Sequence, residues 1–117
     1  MKAIEGKRVI FYIPTNDNEG NDLNEEMVEF KNQALIVFGG FTEHQKIWGN
    51  WIRGWNIPKE IWDNWMDNDK YYQDTIIPIE IAGFDDDASI ELYANKIKRN
   101  FKQEAIYLII DGKAYIH

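Results

Sequence analysis

Three segments of this chain are apolar on both of their alternating faces, and no other feature constrains the fold as strongly. They are "RVIFYIP" (Arg8–Pro14), "TIIPIEI" (Thr75–Ile81) and "AIYLII" (Ala105–Ile110). Each is rich in β-branched and aromatic residues and short for a helix, so strands are predicted. Successive side chains of a strand point to opposite faces of its sheet. Val9, Phe11 and Ile13 therefore stand opposite Ile10 and Tyr12, and Ile77 and Ile79 opposite Ile76. Ile106, Leu108 and Ile110 likewise stand opposite Tyr107 and Ile109. A sheet made of such strands needs cover on both sides.

Helical periodicity supplies cover for one side only. From Asn24, the residues Met27, Phe30, Ala34 and Val37 recur at steps of three and four, and Gly39–Gly40 ends the run. The second helix lies in "DDDASIELYANKIKRNFKQ". Its start carries Asp85–Asp87 and its end Lys96, Lys98, Arg99 and Lys102, the polarity that the helix dipole favours. Ile90, Tyr93, Ile97 and Phe101 form its expected buried stripe. "FTEHQKIW" reads as a polar edge strand, and Asp111-Gly112 is a two-residue hairpin turn into "KAYI". The order is βαβ, insert, βαβ and one further strand. It predicts an α+β, ferredoxin-like sandwich over residues 1–117, a single domain with both helices on one sheet face.

Residues 53–69 interrupt this layout. All 5 tryptophans fall between Trp48 and Trp65. One continuous helix would gather them on a single side, but Gly49, Gly54 and Pro58 argue against it. Trp48 and Trp51 are therefore placed on a strand end, and Trp55, Trp62 and Trp65 in an inserted Trp-rich lobe. The second face of the sheet is left for that lobe or for a second copy of the chain, because a large bare apolar patch is unusual on a soluble monomer. A homo-oligomer is expected.

The absence of cysteine excludes disulfides and thiol chemistry. A formal charge of −7 repels phosphate backbones and anionic lipid at long range, which argues against direct nucleic-acid binding and against a membrane surface. "MKAIEGKRVIF" carries charges where an apolar leader would run, so a cytoplasmic location in a bacterial host cell is expected.

The motifs "FGGFT" (Phe38–Thr42), "GNW" (Gly49–Trp51), "YYQD" (Tyr71–Asp74) and "FKQEAIYL" (Phe101–Leu108) come in an order that resembles a group of short bacterial proteins of unassigned function. The resemblance covers most of the chain outside 53–69. It implies the ferredoxin-like fold and carries over no catalytic residue. The inserted lobe is where this chain departs from that pattern.

Function is then sought in the lobe. Indole faces stack on bases and other flat rings, and cations beside them suit a phosphorylated ring. Trp51, Arg53, Trp55, Lys59, Trp62 and Trp65 are the candidate ligand-binding residues; packing over the sheet or between subunits is the structural alternative. "TNDNEGNDLNEE" has Asp17, Glu19, Gly20 and Glu26 near calcium-loop offsets, but Thr15 stands where the first Asp belongs, and a solvated turn explains it more simply. His44 beside Glu43 is a conceivable proton-transfer pair, and His117 is expected to be a mobile terminus. No phosphate-binding glycine loop, nucleophile elbow or His cluster occurs, and neither a cofactor nor a metal is expected.

The leading expectation is a non-enzymatic protein that sequesters or senses a small nucleotide-like ligand, for instance a phage counter-defence sponge for an immune signalling nucleotide. One alternative is an acidic inhibitor of a host protein, a nucleic-acid mimic using Asp63, Asp67, Asp69 and Asp85–Asp87. The other is a small ferredoxin-like dimeric enzyme built around His44.

Overall fold

The computed structural model of the chain describes residues 1–17, 19–52 and 71–117, without the side chains of 51–52 and 71–73. The inserted lobe therefore lies outside the described residues. Strand β1 (Lys7–Pro14) leads to helix α1 (Asn24–Phe38), the short strand β2 (Thr42–Glu43) and strand β3 (Ile47–Ile52). Strand β4 (Tyr71–Phe84) leads to helix α2 (Asp87–Asn100) and to the hairpin of β5 (Tyr107–Ile110) and β6 (Lys113–Ile116). These elements make a mixed α+β structure with one antiparallel sheet and two helices.

The long strand β4 organises the sheet. It pairs with β1 along one edge and with β2 and then β3 along the other, giving the order β2–β4–β1–β5–β6 with β3 also on β4. The β1 pairing is regular from Pro14↔Ile76 to Arg8↔Ala82 and then slips, so that Lys7 meets Phe84. The extra residue is Gly83, whose φ of 106° suits a glycine and a bulge. The slip turns Phe84 to the helical side, where it is buried, and brings Lys7 Nζ within 2.5 Å of Asp87 at the start of α2.

Both helices pack on the face formed by Val9, Phe11, Ile13, Ile79, Ile81 and Leu108. From α1 come Met27, Phe30 and Ala34, and from α2 come Ile90, Ala94 and Ile97. Phe11 is fully buried at the centre, with ring centroids of Phe30, Phe84 and Tyr93 at 6.4, 5.8 and 5.8 Å. Val37, expected in this core, is 65% exposed. The helical repeat of 3.6 residues carries the last turn past position 37, and Phe38 packs instead, 4.5 Å from the Phe84 ring. The ends of the helices are closed as their residue types demand. Gly39, at φ 79°, donates its N–H to Leu35 O, and the Asp86 carboxylate accepts from Ser89 N at 2.7 Å. At the C-terminus, His117 exchanges both backbone hydrogen bonds with Ile106 and its Nε2 lies 2.7 Å from Asn95 Oδ1. This end is anchored rather than mobile.

Among the described residues, Tyr93 is the discordant group in the core. Its ring belongs to the aromatic cluster, yet its hydroxyl is buried without a hydrogen-bond partner, and burial raises its pKa above the ordinary phenol value. Removing an unsatisfied buried hydroxyl while keeping the ring relieves a desolvation cost. Tyr93→Phe is expected to stabilise the protein by about 1 kcal/mol, read as a higher urea midpoint with an unchanged m-value.

Candidate functional site

The second face of the sheet carries every other residue of the same strands: Arg8, Ile10 and Tyr12 on β1, Asp74, Ile76, Pro78 and Glu80 on β4, and Tyr107 and Ile109 on β5. Among the described residues no helix lies on this side. Pro14, Ile76 and Pro78 are nevertheless buried, while Ile10, Tyr12, Tyr107 and Ile109 remain half-buried. Tyr12 and Tyr107 meet edge to face at 5.0 Å. At the margins Ile47 and Ile116 are 41% and 54% exposed. An apolar surface with a few embedded polar groups is the usual make-up of a small-molecule site.

Two polar positions stand out on it. The first is a trio at the β2 end. Glu80 Oε1 lies 3.2 Å from His44 Nε2, and Glu80 Oε2 lies 3.8 Å from Arg8 Nη1. The backbone places it: Thr42 pairs with Glu80, and His44 N donates to Pro78 O, which brings the imidazole alongside. Glu43, the neighbour suggested by sequence, turns instead to Lys31 Nζ at 2.8 Å. The Glu80 carboxylate already has its partners, and half-exposed ion pairs contribute roughly 0–1 kcal/mol each. Glu80→Gln and His44→Ala should therefore each shift the melting temperature by no more than a few degrees; a larger fall would show that the trio holds β2 on the sheet.

The second position is Asp74. On β4 it pairs with Gly49 of β3, which presents no side chain. It is half-buried beside the buried Ile76, and it has no hydrogen-bond or ion-pair partner among the described residues. Burial alone pushes its carboxyl above the ordinary carboxylate range. An unpaired carboxylate partly stripped of water is costly, and such groups gather at functional sites.

Of the residues proposed from sequence, Trp51 lies in β3 with its backbone in register with Tyr72. Arg53, Trp55, Lys59, Trp62 and Trp65 lie outside the described residues. Trp48, on β3, is 65% exposed. The Asp17 loop is self-contained. Asp17 is 8% exposed, and its carboxylate accepts from Glu19 N, Asn21 N and Asn21 Nδ2. The Asn21 amide, ahead of the backbone donors, holds its pKa below the ordinary value. The expected solvated turn is thus a closed one. Among the described residues no group of three or more acidic or histidine side chains is set to hold a metal ion, and no helix is long and apolar enough to cross a membrane.

Asp74 and Glu80 were not singled out by sequence. The signal that marks them is their phase: in "DTIIPIEI" both carry even residue numbers, like Ile76 and Pro78, and so are carboxylates in the alternating row that the helices leave uncovered.

No protein-family model and no curated protein matches the chain. Solved structures do share its fold. A phage SAM lyase in complex with S-methyl-5′-thioadenosine superposes with a TM-score of 0.65 at 12% identity, over 100% of this chain and 94% of that one. A phage SAM lyase in the apo state gives 0.61 at 12% identity, over 100% and 92%. At this identity the likeness is one of fold.

Proposed function

We propose that this chain is a phage counter-defence protein that acts on S-adenosylmethionine and releases S-methyl-5′-thioadenosine, on a ferredoxin-like scaffold that assembles as a homo-oligomer. The observation that carries this is the end-to-end likeness to a phage SAM lyase solved with that thionucleoside. A strand order with β4 beside β1 and with β2 and β5 outside them supports the ferredoxin-like assignment. The half-exposed apolar residues of the open face support assembly of copies.

The ligand chemistry fits the charge of the protein better than a phosphorylated ring does. S-adenosylmethionine bears no phosphate and carries a sulfonium cation, which a chain of net charge −7 attracts. Its lysis breaks the bond between sulfur and the Cγ of the methionine arm. The electron pair stays on sulfur, which becomes a neutral thioether, and the arm leaves as a four-carbon fragment. The fragment closes to a lactone if its own carboxylate attacks Cγ, or becomes an alkene if a base takes a Cβ proton; neither route consumes water. In this scheme the indoles of Trp51, Trp55, Trp62 and Trp65 stack on adenine, and Arg53 and Lys59 meet the carboxylate of the arm. Depleting the methyl donor would disarm host defences that rely on it.

The test is direct. Purified protein is incubated with S-adenosylmethionine and the mixture is separated chromatographically. More than one equivalent of S-methyl-5′-thioadenosine per chain supports cleavage. One equivalent of intact S-adenosylmethionine retained per site supports the sequestering variant, in which the protein captures the ligand without turning it over. Neither binding nor product would end the proposal.

A further inference from the structure

Among the described residues, the open face holds one carboxylate without a partner in the fold. Glu80 is engaged with His44 and Arg8, whereas Asp74 faces the side-chain-free position of Gly49 and has no partner among the described residues. We propose that Asp74 accepts the vicinal ribose hydroxyls of the nucleoside-like ligand and so makes the site select ribose over 2′-deoxyribose. The inference rests on the reading that such a ligand binds here, and it adds the group that recognises the sugar.

Three considerations lead to ribose rather than to another part of the ligand. A carboxylate offers only acceptors, and two adjacent hydroxyls present two donors at the spacing of its two oxygens. Acidic side chains bind ribose hydroxyls in this way in dinucleotide sites on unrelated folds. The protein solved with S-methyl-5′-thioadenosine took a ligand without a formal charge, so the sulfonium is absent from what it bound. In such a ligand the diol is the part best matched to an unpaired carboxylate.

The geometry favours access as well. Gly49 and Asp74 are directly paired across the β3–β4 ladder, so the β3 position opposite the carboxylate presents no side chain to an incoming ring. Ile76, two residues along on the same face, is 3% exposed and gives Asp74 an apolar neighbour. The ligand's hydroxyls would restore to the carboxylate the donors that burial removed.

Binding of S-methyl-5′-thioadenosine and of its 2′-deoxy analogue is measured by calorimetry on the full chain, unsubstituted and Asp74→Asn, alongside thermal melts of both proteins. Hydrogen bonds to a charged group correspond to roughly 10- to 100-fold in affinity. The unsubstituted protein should prefer the ribonucleoside by about that factor. Asp74→Asn should weaken ribonucleoside binding and reduce the preference to near unity, and it should melt at the same temperature or higher. An unchanged preference in Asp74→Asn would overturn the assignment while leaving the parent reading intact, and so would a substantially lower melting temperature, which would make Asp74 a structural residue. No binding of either nucleoside by the unsubstituted protein, with no cleavage of S-adenosylmethionine, would remove the parent reading and this inference together.

Discussion

Phe11→Ala should destabilise the protein by roughly 3–5 kcal/mol, the range for emptying a buried aromatic site. Phe11 is fully buried in the middle of β1, and its ring meets Phe30 of α1, Phe84 of β4 and Tyr93 of α2. The substitution thus opens a cavity where the sheet and both helices converge. None of the surrounding rings can fill it without leaving its own contacts, so collapse is incomplete and the cost stays high. At about 4 °C per kcal/mol for a domain of this size, the melting temperature should fall by roughly 10–20 °C. Phe11→Leu should recover much of that loss. A fall of only a few degrees for the alanine variant would mean that the helices are not packed on this face of the sheet.

The second large effect is expected at Gly6. Its φ is 94°, and a Cβ built there would lie 2.5 Å from the Phe84 carbonyl oxygen and 3.0 Å from Gly83 C. Both obstacles are backbone, and both belong to the bulge that turns Phe84 inward. Gly6→Ala therefore imposes a strained backbone and a clash on the same few atoms, with an expected cost of about 3 kcal/mol. Urea titration of this variant should show a lower midpoint. Gly39→Ala provides a control, since Gly39 has φ 79° but nothing within 4 Å of an added Cβ. If the two variants lost equal stability, backbone strain alone would explain Gly6 and the bulge contact would count for nothing.

Much of the fold was legible because local and global signals agree. The alternating rows of β1, β4 and β5 carried enough β-branched and aromatic residues to declare strands, and Asp85–Asp87 before "ASIELYANKIKRN" marked the start of α2. The Asp111-Gly112 turn appears as read, with positive φ at both residues. What escaped were consequences of one-residue shifts. Val37 and Phe38 differ by a single helical step, and periodicity does not say which of them the last turn presents to the sheet. The extra residue at Gly83 changes which side Phe84 occupies, and no alternation rule anticipates a bulge.

The candidate site was less legible, for a related reason. Sequence drew attention to the tryptophans because they are large and concentrated, and to His44 because histidines are few. Asp74 and Glu80 are two among 20 acidic residues, and only register separates them from the rest. Once the helices are known to occupy one face, a carboxylate in phase with Ile76 and Pro78 becomes conspicuous. Whether such a carboxylate is matched among the described residues then decides between the two: Glu80 is, and Asp74 is not.

Strand β1 accompanies β4 only as far as Ile76, with one more hydrogen bond from Thr15 N to Thr75 O, while β3 and β4 continue together to Ile52 and Tyr71. Beyond that point the described residues form a two-stranded ribbon with no third strand beside it, and such ribbons have little stability of their own. Amide protons of Gly49–Ile52 and Tyr71–Asp74 should accordingly exchange through local opening, far sooner than those of Val9–Ile13, which need the whole domain to unfold. The ribbon can thus lengthen, shorten or change its residues at small expense to the rest of the molecule. That uncoupling would let descendants of one scaffold diverge in what they bind while the packed layers stay the same.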